Sequence, residues 1–176
     1  MIAVRLEGYE VEVAVLVGSA RNKSAIKRES RDVYPCDPVL SWGQHVEAAG
    51  AEMAVAKYLG LYWDGSVDTY RSGSGDLPYT NIDVKHSKDG KWKVKEKDDG
   101  ELILVKGTMP DYIIEAYCLT DEVKNASAPC VMGNAKLWFV SDLVKRHDFT
   151  GLRKALWRRA FDARQSYPPA ELVEAA

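Results

Sequence analysis

Cysteine is scarce in this chain, and so are long apolar runs and any excess of one charge. Its 176 residues hold three cysteines, Cys36, Cys118 and Cys130, widely spaced and without a Cys-x-x-Cys pair. An odd, scattered set argues against a disulfide framework and a zinc knuckle and points to a reducing compartment. No stretch approaches the roughly 18 apolar residues of a membrane span. The first residues lack the charged, apolar and small-residue order of a secretory signal, so the expected location is cytoplasmic, with no membrane partner. A total of 24 basic against 26 acidic residues gives a net charge of −2, which supplies no overall field for nucleic acid. Internal repeats and low-complexity segments are absent.

What is present is a globular composition: 46% hydrophobic and 28% charged residues, enough apolar mass to close one core at this length. Charge is unevenly spread. Lys85, Lys88, Lys91, Lys93, Lys95 and Lys97 crowd one segment, and Lys145, Arg146, Arg153, Lys154, Arg158, Arg159 and Arg164 another. Such clusters are candidate phosphate-backbone contacts, although solvated faces of this composition are commoner. The chain divides into a main domain over residues 1–145 and a basic C-terminal helix and tail over 146–176, expected to pack on it.

By periodicity, residues 1–6 form a short strand. Residues 7–30 alternate valines like a strand, yet Ala14, Leu16, Val17, Ala20 and Ala25 fit one helical face, and the helix is preferred. A connector with Pro35 and Pro38 spans 28–42. From 43 to 60 an amphipathic helix is expected, with Val46, Ala49, Met53, Ala56 and Leu59 or Leu61 at helical spacing and Gly60 where a left-handed residue ends a helix. Short strands follow at 61–63 and 67–70 around Asp64-Gly65, then a glycine- and serine-rich loop to Asp76. Further strands are expected at 81–86, 92–95, 101–105, 112–119 and 137–140. Asp89-Gly90 is expected to close a hairpin, residues 121–133 to be irregular, and 148–163 to form a basic amphipathic helix. The pattern is that of an α/β (α+β) domain.

The chemistry-bearing stretch runs from Glu52 to Lys85. Glu52 sits mid-helix, Asp76 at a loop end, and Asp83-Val84-Lys85 in a short apolar strand. Side chains alternate along a strand, so Asp83 and Lys85 share a face, while the Val84 carbonyl is a further oxygen donor. Two carboxylates on neighbouring elements suffice to seat Mg2+ or Mn2+ with positions left for water and phosphate. A lysine beside them orients or acidifies the attacking water, or balances phosphate charge. Glu52 reaches such a site from the helix, directly or through water. These residue types in this order suit phosphodiester hydrolysis.

With Glu52, Asp76, Asp83 and Lys85 in that order, the chain resembles the PD-(D/E)XK nuclease superfamily. The runs EMAVAKYLGLYW, GD…DVKHS and LWFVSDLV resemble small bacteriophage and prophage proteins of that type, over most of residues 10–143. The resemblance implies a restriction-endonuclease-like mixed central sheet flanked by helices, and a Mg2+- or Mn2+-dependent endonuclease acting on DNA. It passes metal-ligand roles to Glu52, Asp76 and Asp83, and the catalytic lysine role to Lys85. Two departures are the glycine before Asp76, where proline is usual, and aspartate at 83, where glutamate is commoner. A homodimer is compatible with this reading. The alternative is a non-catalytic nucleic-acid-binding or assembly protein on the same fold.

A literal PD…ExK occurs downstream, Pro110-Asp111 with Glu122-Val123-Lys124, but the second half falls in a polar stretch where a rigid metal scaffold is not expected. His86 is expected to face away from Lys85, His45 is a secondary candidate on the helix, Glu47 is expected to be solvated and His147 to lie on the surface. Trp92 is the tryptophan best set among lysines to stack on a base. Lys88, Lys91, Trp92 and Lys93 are therefore the candidate nucleic-acid contacts, against the rival reading of an ordinary exposed hairpin.

Overall fold

The computed structural model describes residues 1–28, 38–67, 75–78, 80–95, 101–118, 130–132, 135–139 and 143–146. The helix expected over 148–163, residues 68–70 and the Glu122-Val123-Lys124 triplet lie outside them. Strand β1 (Ile2–Arg5) leads into helices α1 (Gly8–Lys27) and α2 (Pro38–Leu59). Then come β2 (Ile82–Ser87), β3 (Lys93–Lys95), β4 (Glu101–Thr108), β5 (Asp111–Cys118), β6 (Cys130–Met132), β7 (Ala135–Phe139) and β8 (Val144–Arg146). The main sheet runs β1-β5-β4-β2, with β8 also on β5. Strand β2 lies parallel to β4, and the other pairs are antiparallel. A smaller antiparallel sheet has the order β3-β7-β6. The architecture is mixed α+β, and no described helix is long and apolar enough to cross a membrane.

Register decides what each face of the main sheet touches. Val84, Ile103 and Ala116 stand side by side, and with Ile82, Val105 and Ile114 they meet α2 in the main core. The opposite face carries Leu102, Leu104 and Tyr117, which join Val94 and Leu143 in a smaller core. Asp83 and Lys85 are in register with Leu102 and Leu104, and so belong to this second face.

Helix α2 packs against both α1 and the sheet. Residues 49–56, AGAEMAVA, are all buried, so this part of the helix is enclosed on nearly every side rather than amphipathic as expected. Its contact with α1 is backbone to backbone. A Cβ on Gly18 would stand 2.4 Å from Val46 Cα and 2.8 Å from the His45 carbonyl oxygen. At the far end of α1, the Glu7 N–H donates to Glu10 Oε2 at 2.7 Å. Lys57 Nζ donates to the same oxygen at 2.6 Å and to the Arg5 carbonyl at 2.9 Å, fastening β1, α1 and α2 together.

Several local expectations are corrected. Helix α2 begins at Pro38, five residues before the expected start at 43, because a proline in the first turn has no N–H to leave unbonded. Residues 61–66 form no strand, although Gly65 at φ 56° and the Ser66 N–H bonded to Asp64 Oδ1 do make the expected turn. The Asp89-Gly90 turn is present, with Ser87 Oγ accepting from the Gly90 and Lys91 N–H groups. It is not a hairpin: β3 leaves to pair with β7, drawn by burial of Val94 in the second core. Strand β6 falls where irregular chain is expected, and β8 where no element is expected.

Candidate functional site

Among the described residues β2 is an outer strand of the main sheet. Asn81 accepts from the Glu101 N–H on the β4 side. A residue's N–H and C=O leave a strand on the same side, so Ile82 and Val84 turn theirs to the opposite edge. Residues 75–76 lie along that edge. The Asp76 N–H donates to the Ile82 carbonyl at 2.7 Å, and the Val84 N–H donates to Asp76 Oδ2 at 2.6 Å. Thr80 closes the turn between them, its hydroxyl donating to the Leu77 carbonyl and accepting from the Ile82 N–H. A Cβ on Gly75 would come within 2.0 Å of the Ile82 carbonyl oxygen, so only glycine permits this approach. The departure from proline before Asp76 thus has a steric cause.

Lys85 Nζ donates to Asp83 Oδ1 at 2.9 Å and stands 2.8 Å from Oδ2, as a shared strand face requires. The Asp76 and Asp83 carboxyls lie within hydrogen-bonding reach of each other. Burial pushes the Asp76 pKa above the usual carboxylate range and the Glu52 charge adds to this, against the pull of the Val84 N–H, Asp83 and Lys85. Burial also raises Asp83, with Asp76 adding, and outweighs the attraction of Lys85. Two desolvated carboxyls side by side favour either a shared proton or a cation.

Glu52 is 7% exposed. Arg21 Nη1 donates to its Oε1 at 2.6 Å, Arg21 Nη2 to Oε2 at 2.8 Å, and Trp63 Nε1 to Oε2 at 3.0 Å. Arg21 Nε donates to the Ser66 carbonyl at 2.9 Å. Motif spacing points to neither Arg21 nor Trp63. The signal that finds Arg21 is the lone carboxylate in AGAEMAVA, since a buried charge demands a partner.

Asp76, Asp83 and Lys85 therefore gather around a strand edge, whereas the Glu52 side chain is held by Arg21 and Trp63 and acts on Asp76 only through its charge. Glu52 approaches from the helix side, Asp76 lies at the edge, and Asp83 and Lys85 occupy the far face. Among the described residues no group of three His, Cys, Asp or Glu side chains is placed to hold a metal ion. The donors that fit Mg2+ are the Asp76 and Asp83 carboxylates with the Val84 carbonyl: hard oxygens, two of them anionic and desolvated, with waters left to complete the shell. Glu52 has both oxygens engaged already.

The remaining candidates divide. His86 faces away from Lys85 as expected, with Nε2 2.8 Å from the Gly107 carbonyl oxygen and its ring edge-on to Tyr112. Glu47 is not solvated: Oε2 accepts from the Tyr112 hydroxyl at 2.8 Å and the Met109 N–H at 3.1 Å. Its neighbour Gly50 makes room, since a Cβ there would meet the Tyr112 hydroxyl at 2.5 Å. His45 is half-buried on α2. Lys88 and Lys91 are exposed, with Lys91 Nζ 3.3 Å from Asp89. Trp92 packs against the second core instead of standing out among the lysines, and its Nε1 is buried without a hydrogen-bond partner among the described residues. The Lys93 side chain lies outside the described residues. Asp111, of the rival motif, is exposed and paired with Arg5. No family model, curated protein or solved structure matches this chain.

Proposed function

We propose that this chain is a Mg2+- or Mn2+-dependent nuclease hydrolysing DNA phosphodiester bonds, a phage-type endonuclease with the restriction-endonuclease-like fold that its resemblance implies. The observation that carries this reading is the meeting of Asp76, Asp83 and Lys85 at the edge of β2, with the two carboxyls side by side and desolvated. Asp76, Asp83 and the Val84 carbonyl are the residues that would hold the ion. When bound, such an ion supplies phosphate neutralisation and an acidified water. The chain's own groups do the rest. The Val84 N–H fixes the Asp76 carboxylate through Oδ2, and the Asp83 carboxylate fixes the Lys85 ammonium. Lys85 thereby presents a positive charge beside the carboxylates, where it orients the attacking water or binds a phosphate oxygen. Lys88 and Lys91, just past the end of β2, add non-specific backbone attraction.

The test is incubation of circular and linear DNA with Mg2+, Mn2+ or chelator, comparing wild type with Asp83→Ala and Lys85→Ala. Metal-dependent nicking of the circle is expected, reduced roughly 100-fold or more in either variant. Cleavage that persists in both variants, or in chelator, sinks the assignment. DNA binding without cleavage under any metal favours the alternative of a non-catalytic nucleic-acid-binding protein.

A further inference from the structure

We propose that Arg21 is an internal counter-cation: it occupies Glu52 in the manner of a metal ion, and so sets how tightly the site takes a divalent cation. The inference rests on the nuclease reading of this site and deepens it.

Three observations support it. All three guanidinium nitrogens are engaged, Nη1 and Nη2 on the two Glu52 oxygens and Nε on the Ser66 carbonyl. The fork is therefore pinned as a planar clamp, a geometry that lysine cannot reproduce. Glu52 is then left with no oxygen that is not already accepting, since Trp63 shares Oε2. Finally, the Asp76 charge acts on Arg21 as the Glu52 charge does, and the Glu52 charge acts on Asp76.

Two effects follow, and both weaken cation binding. The Glu52 carboxylate is withheld, and a fixed positive charge is electrostatically coupled to Asp76 at the strand edge. A structural staple between α1 and α2 does not by itself require ions, because a buried pair is often replaceable by apolar side chains without loss of stability. The pair at this position is distinguished by its electrostatic coupling to Asp76, a proposed ligand.

The test is Mn2+ binding, read from the loss of the free-ion electron paramagnetic resonance signal. Wild type is compared with Arg21→Gln, Glu52→Gln, the double variant and Asp83→Asn. Circular dichroism confirms the fold of each. Arg21→Gln is expected to bind Mn2+ roughly tenfold more tightly than wild type, since it removes a positive charge that is electrostatically coupled to Asp76. Glu52→Gln, which leaves Arg21 unneutralised, binds more weakly, and the double variant returns close to wild type.

A purely structural Arg21 gives no tightening. Equal or weaker Mn2+ binding in Arg21→Gln, with Asp83→Asn still abolishing binding, overturns the inference and leaves the nuclease site standing. Absence of Mn2+ binding in both wild type and Arg21→Gln overturns the two together. If Arg21→Gln does not fold, the step from Glu52→Gln to the double variant asks the same question without a lone buried carboxylate. Several-fold tightening there supports the inference, and an unchanged affinity refutes it.

Discussion

Replacing Gly18 by alanine sets helix propensity against packing, and the crossing of α1 and α2 decides which wins. In a helix interior alanine is favoured over glycine by about 1 kcal/mol, so propensity alone predicts a more stable protein. The new Cβ, however, would lie 2.4 Å from Val46 Cα, 2.7 Å from Val46 N and 2.8 Å from the His45 carbonyl oxygen. All three are backbone atoms of α2, which is packed against the sheet on its other side and cannot retreat. Carbon atoms sit comfortably at about 3.5–4.0 Å, so α1 must withdraw by roughly 1 Å. That shift loosens Ala14, buried one turn earlier, and the Arg21–Glu52 clamp one turn later. Overpacking alone costs about 1–3 kcal/mol, and disturbing a buried pair adds to it. After the helix gain, Gly18→Ala should destabilise by about 2 kcal/mol, a fall in Tm of about 4–8 °C at this chain length. Gly43 of α2 is the control: no atom lies within 4 Å of its added Cβ, so Gly43→Ala should stabilise by about 0.5–1 kcal/mol. Urea unfolding followed by far-ultraviolet circular dichroism measures both. Two variants shifting in the same direction, or Gly18→Ala at least as stable as wild type, would refute the backbone-contact account.

Two further outcomes follow from buried polar groups. Tyr112→Phe removes the hydroxyl that donates to Glu47, while the Met109 N–H still serves that carboxylate; a loss of about 1–2 kcal/mol in urea unfolding is expected, and no loss would mean that the hydroxyl is dispensable. Asp76 and Asp83 have folded pKa values raised above the ordinary 3.8. Their contribution to stability is thus fully present below that unfolded value and is lost as pH rises through the folded one. Metal-free Asp83→Asn should therefore have a higher Tm than wild type at pH 7 and a shallower decline above pH ~4. A Tm below wild type throughout that range would show that the Lys85 attraction outweighs burial.

The elements that could be read from sequence are those whose signal is local. Ile82-Asp83-Val84-Lys85 alternates with period two, and β2 follows. In α1 the valine alternation competed with a helical face; the helix prevails, but it buries Ala14 and Gly18, while Leu16 and Ala20 of the expected face are exposed. Gly60, at φ 66°, ends α2 as its position predicts. What could not be read depends on distant partners. Asp89-Gly90 encodes a turn but not the sheet that the outgoing strand joins. Strands β6 and β8 have three residues each, too short for any period. Glu47 gains Tyr112 from 65 positions away, and Glu52 gains Arg21 from 31. Asp76, Asp83 and Lys85 come together at one strand, yet their separation from Glu52, which lies on the helix side of the sheet and is held by Arg21, depends on β2 being an outer strand, which a linear motif does not contain.

The seating of Asp76 bears on solubility. An exposed strand edge is a template on which a second chain can pair. Along β2 the Ile82 carbonyl and the Val84 N–H would be rungs of that template, and Asp76 covers both, one with its own N–H and the other with its carboxylate. The residue nominated for chemistry therefore also closes the sheet. Selection acting on this position answers to two demands at once, and a chain that lost the side chain would forfeit its ligand and acquire an adhesive edge in the same step.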